Sequence, residues 1–262
     1  MLAGLRHRLG HWIGRFLERD QPETQPVVAQ DHAALTATIR VGDVLLVEGR
    51  AKVSTAIKYL TQSTWSHAAI CVQDLSSGSG AVELVEVTMH EGAHRVPLSK
   101  YASYNTRLCR AAGLSEDERA AVARYMVDRI GLQYDMRNIV DLMRYFIPTP
   151  PVPVRWRRPL LSLGAGDPTR AICSSLAAQA FQSVGYPILP EIEMLRAPSG
   201  RPLRTVWYAR DSSFIVPRDF DLSPYFAVVK PTIYRGFDHA RIPWAERGAE
   251  DGDRVESRKS VG

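Results

Sequence analysis

The chain has 262 residues, 45% of them hydrophobic, enough for one large globular domain or two small ones. Its net charge of +5 is too diffuse to argue for nucleic acid, and no aromatic-basic motif of that kind appears. Three cysteines, Cys71, Cys109 and Cys173, are too few and too scattered for a disulfide framework or a zinc site, and an odd number fits free thiols in a reducing compartment.

Residues 1–19 have the spacing of an amphipathic helix: Leu2, Leu5, Leu9, Trp12, Ile13, Phe16 and Leu17 recur on one face, opposite Arg6, Arg8, Arg15 and Arg19. Two readings stand for it. One is a helix packed on the domain; the other is a helix on an anionic membrane surface, with Trp12 and Phe16 in contact with lipid. The same basic residues interrupt any apolar h-region, so no signal peptide is expected. No apolar run approaches the ~20 residues of a membrane span. The expected location is cytoplasmic, peripheral on the membrane under the second reading. Residues 20–37, with Pro22 and Pro26, read as a linker to a domain spanning 38–235.

Within that domain, 39–47 reads as a strand with Gly42-Asp43 near its start, and Ser54 to Leu60 as a short helix. Residues 67–73 and 81–88 read as two strands joined by the turn Ser76-Ser77-Gly78-Ser79-Gly80, a hairpin. A further strand is expected at Arg107 to Arg110. Ser115-Glu116-Asp117-Glu118 is a capping box opening a helix through Ile130, with Gly131 as its stop. Residues 135–146 have helical periodicity, and 147–168 form a Pro- and Gly-rich loop carrying Arg155, Trp156, Arg157 and Arg158, long enough to be functional. A helix from about Cys173 to Val184 stops at Gly185, a last strand covers 225–233, and residues 236–262 read as a polar, disordered tail.

The chemistry-bearing residues are a cysteine and a histidine in an unusual order. Cys173, near the start of its helix, is where the macrodipole lowers a thiol pKa and unsatisfied backbone N–H groups can hold an oxyanion. A buried structural cysteine is the bland alternative, and an N-cap at Asp167 with Pro168 at the first helical position would put Cys173 more than a turn inside. His67 begins a strand, where it can serve as general base if it reaches the thiol. Glu86 lies inside a strand among apolar neighbours, a position that is costly for a carboxylate unless it is paired. It is therefore the best partner to orient His67, with His90 and His94, in the following loop, as weaker alternatives.

These residues together resemble the YiiX-like, circularly permuted members of the papain-fold NlpC superfamily. Val41-Gly42-Asp43-Val44 is similar to its Gly-Asp strand, Ser66-His67-Ala68-Ala69-Ile70 to its Ser-His strand, and Val85-Glu86-Val87, followed by Gly92 to Leu98, to the third strand and the loop after it. Gly131-Leu132-Gln133-Tyr134-Asp135 resembles the Gly-x-x-Tyr-Asp element, and Ile172-Cys173-Ser174-Ser175-Leu176 the Cys-Ser-x-Leu helix start, displaced to the C-terminal side. Many relatives have glutamate where this chain has Ser175.

The resemblance implies an α+β, circularly permuted papain-like fold with a small antiparallel sheet packed against helices. It further implies a Cys173–His67–Glu86 site acting on an amide, ester or thioester bond without metal or organic cofactor. Tyr134, Ser174 and Trp65 are candidate substrate or oxyanion contacts. The expected partner is a peptide, lipid or lipid-linked acyl substrate, met at an anionic membrane surface through residues 1–19 and Arg155–Arg158. The rival reading is an inactive membrane-associated binding protein on the same fold.

Overall fold

Val44, Leu45, Leu46 and Val47 form a strand, β1, buried along its whole length. A short apolar run without alternation is what a strand covered on both faces requires. The computed structural model describes residues 31–78, 80–88, 90–132, 172–196 and 202–231. In chain order these form α1 (His32–Thr38), β1 (Val44–Val47), α2 (Lys52–Thr61), β2 (His67–Gln73), β3 (Glu83–Thr88), β4 (Gly92–Pro97), β5 (Thr106–Ala111), α3 (Glu116–Val127), α4 (Ile172–Ser183), β6 (Glu191–Arg196), β7 (Pro202–Tyr208), α5 (Pro217–Leu222) and β8 (Phe226–Val229).

Six strands make one antiparallel sheet in the order β4-β3-β2-β1-β5-β8. Strand alternation divides its side chains between two cores. On one face Val44, Leu46, Ala68, Ile70 and Val85 meet α3 and α4 through Val122, Met126, Ala177 and Phe181. Phe181, Phe220 and Phe226 pack there edge to face or tilted, with centroids 5.0–6.0 Å apart. Each such pair contributes about 0.5–1.5 kcal/mol beyond its buried area. On the other face Leu45, Ala69, Cys71 and Leu84 meet Leu35 of α1 and the 3-10 turn Leu98–Tyr101. Strands β6 and β7 form a separate two-stranded hairpin.

The Gly42-Asp43 pair forms the turn into β1. Gly42 has φ +83°, and a Cβ added there would lie 3.1 Å from Cβ of Arg119. Asp43 is fully buried. Its carboxylate accepts from Arg110 Nε at 2.9 Å and Nη2 at 2.6 Å, and from the Arg40 N–H at 2.9 Å, with Arg119 Nη1 at 3.5 Å. A buried charge is tolerable only with such complete pairing.

Several elements differ from the sequence reading. The strand expected over 39–47 begins at Val44, because Gly42 turns the chain. The expected linker 20–37 overlaps a helix, α1, capped by the Asp31 side chain and held by buried Leu35. Gly92 to Leu98, expected as a loop, contains β4, paired in register along β3. The capping box of Ser115 and Glu118 forms, yet the helix ends at Val127, and a turn carries the chain to Gly131 at φ +90°. The hairpin β6–β7 and α5 had no counterpart in the sequence reading. The expected helices at 1–19 and 135–146, the loop 147–168 and the tail 236–262 lie outside the described residues. Among the described residues no helix is long and apolar enough to cross a membrane.

Candidate active site

Glu86 is the most deeply buried acid near the start of β2, only 1% exposed. Its side chain is fully buried, so its neighbours must satisfy the carboxylate. His67 Nε2 lies 2.8 Å from Oε2, and Tyr101 Oη–H donates to the same oxygen. Lys100 Nζ donates to Oε1, and His94 Nε2 lies 3.1 Å from it. Burial by itself would raise the Glu86 carboxyl. The hydrogen bonds from His67 and His94, with the charges of His67 and Lys100, outweigh it and hold the group well below the usual carboxylate range.

The ionised carboxylate fixes the state of His67. A carboxylate only accepts, so Nε2 carries the proton and donates to Glu86. In the neutral imidazole Nδ1 is then the acceptor, the nitrogen able to take a proton from a nucleophile. This is the geometry of an oriented general base.

His94, expected in a loop as a weaker alternative, is on β4 directly opposite Glu86. Its Nδ1 is 3.0 Å from the Gly92 carbonyl, and Nε2 is 2.9 Å from Glu91 Oε2. The Glu86 hydrogen bond raises its pKa, burial opposes this, and the Gly92 carbonyl and the charges of Glu86 and Glu91 raise it further. The signal that could have found it is the β3–β4 pairing, hidden because Gly92–Pro97 lacks strand alternation. Lys100 and Tyr101 lie in the turn after that strand, so no local pattern in the sequence ties them to Glu86.

Trp65 anchors the approach to β2. It is buried, its Nε1–H donates to Asp221 Oδ2 at 3.0 Å, and the Arg107 guanidinium lies 5.0 Å from its ring centroid. Arg107 Nη1 in turn donates to both oxygens of Asp221 at 2.7 Å. Ser66, next to His67, accepts the Gly49 N–H on its Oγ at 3.0 Å. Gly49 has no room for a Cβ, which would sit 2.3 Å from Ser54 Oγ and 2.8 Å from Ser66 Oγ.

Cys173 is the second residue of α4, Ile172–Ser183, and so lies in its first turn. The alternative cap at Asp167 falls outside the described residues. Next to Cys173, Ser174 is fully buried and its Oγ–H donates to the Ile215 carbonyl at 2.7 Å, so its side chain faces the fold rather than a ligand. The chain beyond α4 turns at Tyr186, whose Oη–H contacts the Ala112 carbonyl, at the end of the sheet away from His67. The first turn of α4 is therefore the end directed toward His67. Alternation puts His67 and Glu86 on the sheet face of Leu84 and Tyr101, while α4 covers the other face. Tyr134, Trp12, Phe16, Arg155, Trp156, Arg157 and Arg158 lie outside the described residues.

Cys71 and Cys109 are buried thiols of another kind. Burial, with nearby Asp43 and Asp74, drives Cys71 far above the ordinary thiol range. Burial, then the charge of Asp221, pushes Cys109 up to about 12. Neither can supply a thiolate near neutrality. Among the described residues no group of His, Cys, Asp and Glu side chains is arranged to hold a metal ion. A cavity of about 280 Å³, lined by Tyr186, Pro187, Pro190, Trp207 and Tyr208, lies at the far end of α4 from His67.

Comparison with known proteins covers the strand half of this arrangement. Residues 38–146 match the Peptidase C92 family, described as permuted papain-like amidase enzyme, YaeF/YiiX. The matched segment contains His67 and Glu86 and ends before Cys173. No curated protein matches the chain. Among solved structures, that of metalloprotein YiiX from Escherichia coli O157:H7 is similar over 72% of this chain and 96% of its own, with 16% identity and a TM-score of 0.44. Residues 38–146, under half of the chain, are thus similar to the permuted papain-like amidases of the YaeF/YiiX family, and the described strands and helices form an α+β fold.

Proposed function

We propose that the protein is a thiol-dependent hydrolase or acyltransferase with Cys173 as nucleophile, His67 as general base and Glu86 as the group that orients His67. The observation that carries this reading is the 2.8 Å contact between His67 Nε2 and the buried Glu86 carboxylate. It leaves Nδ1 as the basic nitrogen, on the strand end toward which the first turn of α4 is directed. The Cys173 thiol would give its proton to Nδ1 and attack an amide, ester or thioester carbonyl. Backbone N–H groups of the first helical turn would hold the oxyanion. The imidazolium, stabilised by Glu86, would protonate the leaving amine, alcohol or thiol. Water or an acceptor amine or alcohol would then release the acyl group from the thioester.

The substrate class we favour is a peptide, lipid or lipid-linked acyl compound at a membrane surface. Ile192, Met194 and Trp207 support this: they are exposed on the β6–β7 hairpin, and Ile192 is paired directly with Trp207. Apolar and aromatic side chains of this kind, with the basic amphipathic pattern of residues 1–19, suit an interfacial contact.

The nucleophile is tested by the pH dependence of Cys173 alkylation in wild type and in His67→Ala. A low apparent pKa that rises in the variant is expected. A sluggish thiol indifferent to His67 would leave a non-catalytic binding protein as the better reading. For the membrane, sedimentation with anionic vesicles is expected to weaken on deletion of residues 1–20; unchanged binding removes that segment from the account.

A further inference from the structure

We infer that Lys100 and Tyr101 are the positioning pair of this site, fixing the orientation in which Glu86 addresses His67 and sharing its charge. The inference rests on the reading of His67 as base and Glu86 as its orienting group. An ionised carboxylate offers about four acceptor positions. Here three donors converge on them, His67 and Tyr101 at Oε2 and Lys100 at Oε1, and His94 Nε2 stands 3.1 Å from Oε1 as an ion-pair partner. Tyr101 donates to the same oxygen that His67 uses. Rotation of the carboxylate therefore breaks the Tyr101 and Lys100 contacts together with the His67 one.

The turn that carries the pair is itself anchored. Leu98 and Tyr101 are buried in the core beneath β3 and β4, and the Tyr101 ring packs edge-on against Tyr104 at 5.7 Å. Lys100 is 40% exposed, so it contributes charge rather than packing. The charged and titratable groups facing Glu86 are His67 from β2, His94 from β4 with Glu91 behind it, and Lys100 and Tyr101 from the turn. Helix α4, packed on β2 and β3 from the other side, carries no Asp, Glu, Lys, Arg or His.

Donors on Glu86 draw its charge away from His67. Removing one makes the carboxylate a stronger partner for the imidazolium, and removing Lys100 also relieves a like-charge repulsion. Tyr101→Phe and Lys100→Met should therefore both raise the titration midpoint of His67, and Lys100→Arg should restore it. The measurement is an NMR titration of the full chain, with the His67 signal identified by its loss in His67→Gln. We expect a rise of about 0.5 pH unit in each variant, a small fraction of the shift a close charge can impose. A residue that only supports the fold would lower thermal stability and leave that midpoint in place, and an unmoved midpoint in a folded variant overturns the inference. If Tyr101→Phe does not fold, Lys100→Met decides alone, since that side chain is half in solvent. A shifted His67 midpoint with Cys173 alkylation indifferent to His67 upholds the positioning role and rejects the nucleophile assignment.

Discussion

Replacing Glu86 by Gln probes a buried carboxylate with partners on both of its oxygens. Gln keeps the shape but removes the charge and turns an N–H₂ toward donors that expect an acceptor. Breaking a buried charge pair from one side costs about 3–5 kcal/mol. Glu86 is fully buried, but Lys100 and His94 keep 40% and 21% of their side chains in solvent, so water takes over part of what they lose. The cost belongs at the lower end, about 3 kcal/mol, or a fall in Tm of about 6–12 °C for a domain of this size.

The pH dependence is the sharper part. Unfolded glutamate titrates near about 4.3, and folded Glu86 lies well below that. Its contribution is complete above about pH 5 and is lost as pH falls toward the folded value. His94 has the opposite sign: its folded pKa is raised above about 6.5, so its contribution is complete below that and is lost as pH rises through the folded value. The stability gap between wild type and Glu86→Gln should be widest between about pH 5 and 6.5 and narrow on both sides. Urea melts across pH 3–9 measure it. A gap that does not change with pH, or a Gln variant as stable as wild type at pH 6, would refute the picture of an ionised Glu86 held by these partners.

Two further outcomes follow from described contacts. Gly49→Ala should cost about 1–3 kcal/mol in urea melts, because its Cβ would lie 2.3 Å from Ser54 Oγ and 2.8 Å from Ser66 Oγ, and the strain is passed to the residue before His67. Cys71 and Cys109 should resist iodoacetamide in the native protein at pH 8 and react fully in denaturant; native labelling of either, read by peptide mass, would contradict their burial.

The sequence was most legible where local signals agreed with tertiary ones. Strand 67–73 is legible with the bounds it has, because a polar Thr-Trp-Ser stretch precedes it and its apolar side chains fill both cores. Ser115 and Glu118 announced α3 through reciprocal hydrogen bonds that need no tertiary partner. The polar partner of His67 was legible too, since a carboxylate among Val and Leu is expensive alone. Lys100, Tyr101 and His94 were not, because they reach Glu86 only through the register of β3 with β4. The β6 sequence Glu191-Ile192-Glu193-Met194 does alternate, yet its apolar side chains stay exposed, so burial gave no second signal. The short helix α1 was hidden by its length and held by one buried leucine.

The sheet order has a consequence for how the chain must be made. Strand β5 is paired on one side by β1, which precedes it, and on the other by β8, from the far end of the described chain. Until Phe226–Val229 arrives, one row of β5 backbone donors and acceptors beside Leu108 and Cys109 has no partner strand. An open row of that kind is a template for pairing with another chain. A product ending before Phe226 would carry the histidine and glutamate strands intact and still be prone to aggregate. The strand that covers this row is only four residues long and is followed within two residues by Pro231, so among the described residues the β8 side of the sheet ends on a short edge, which limits pairing with another chain.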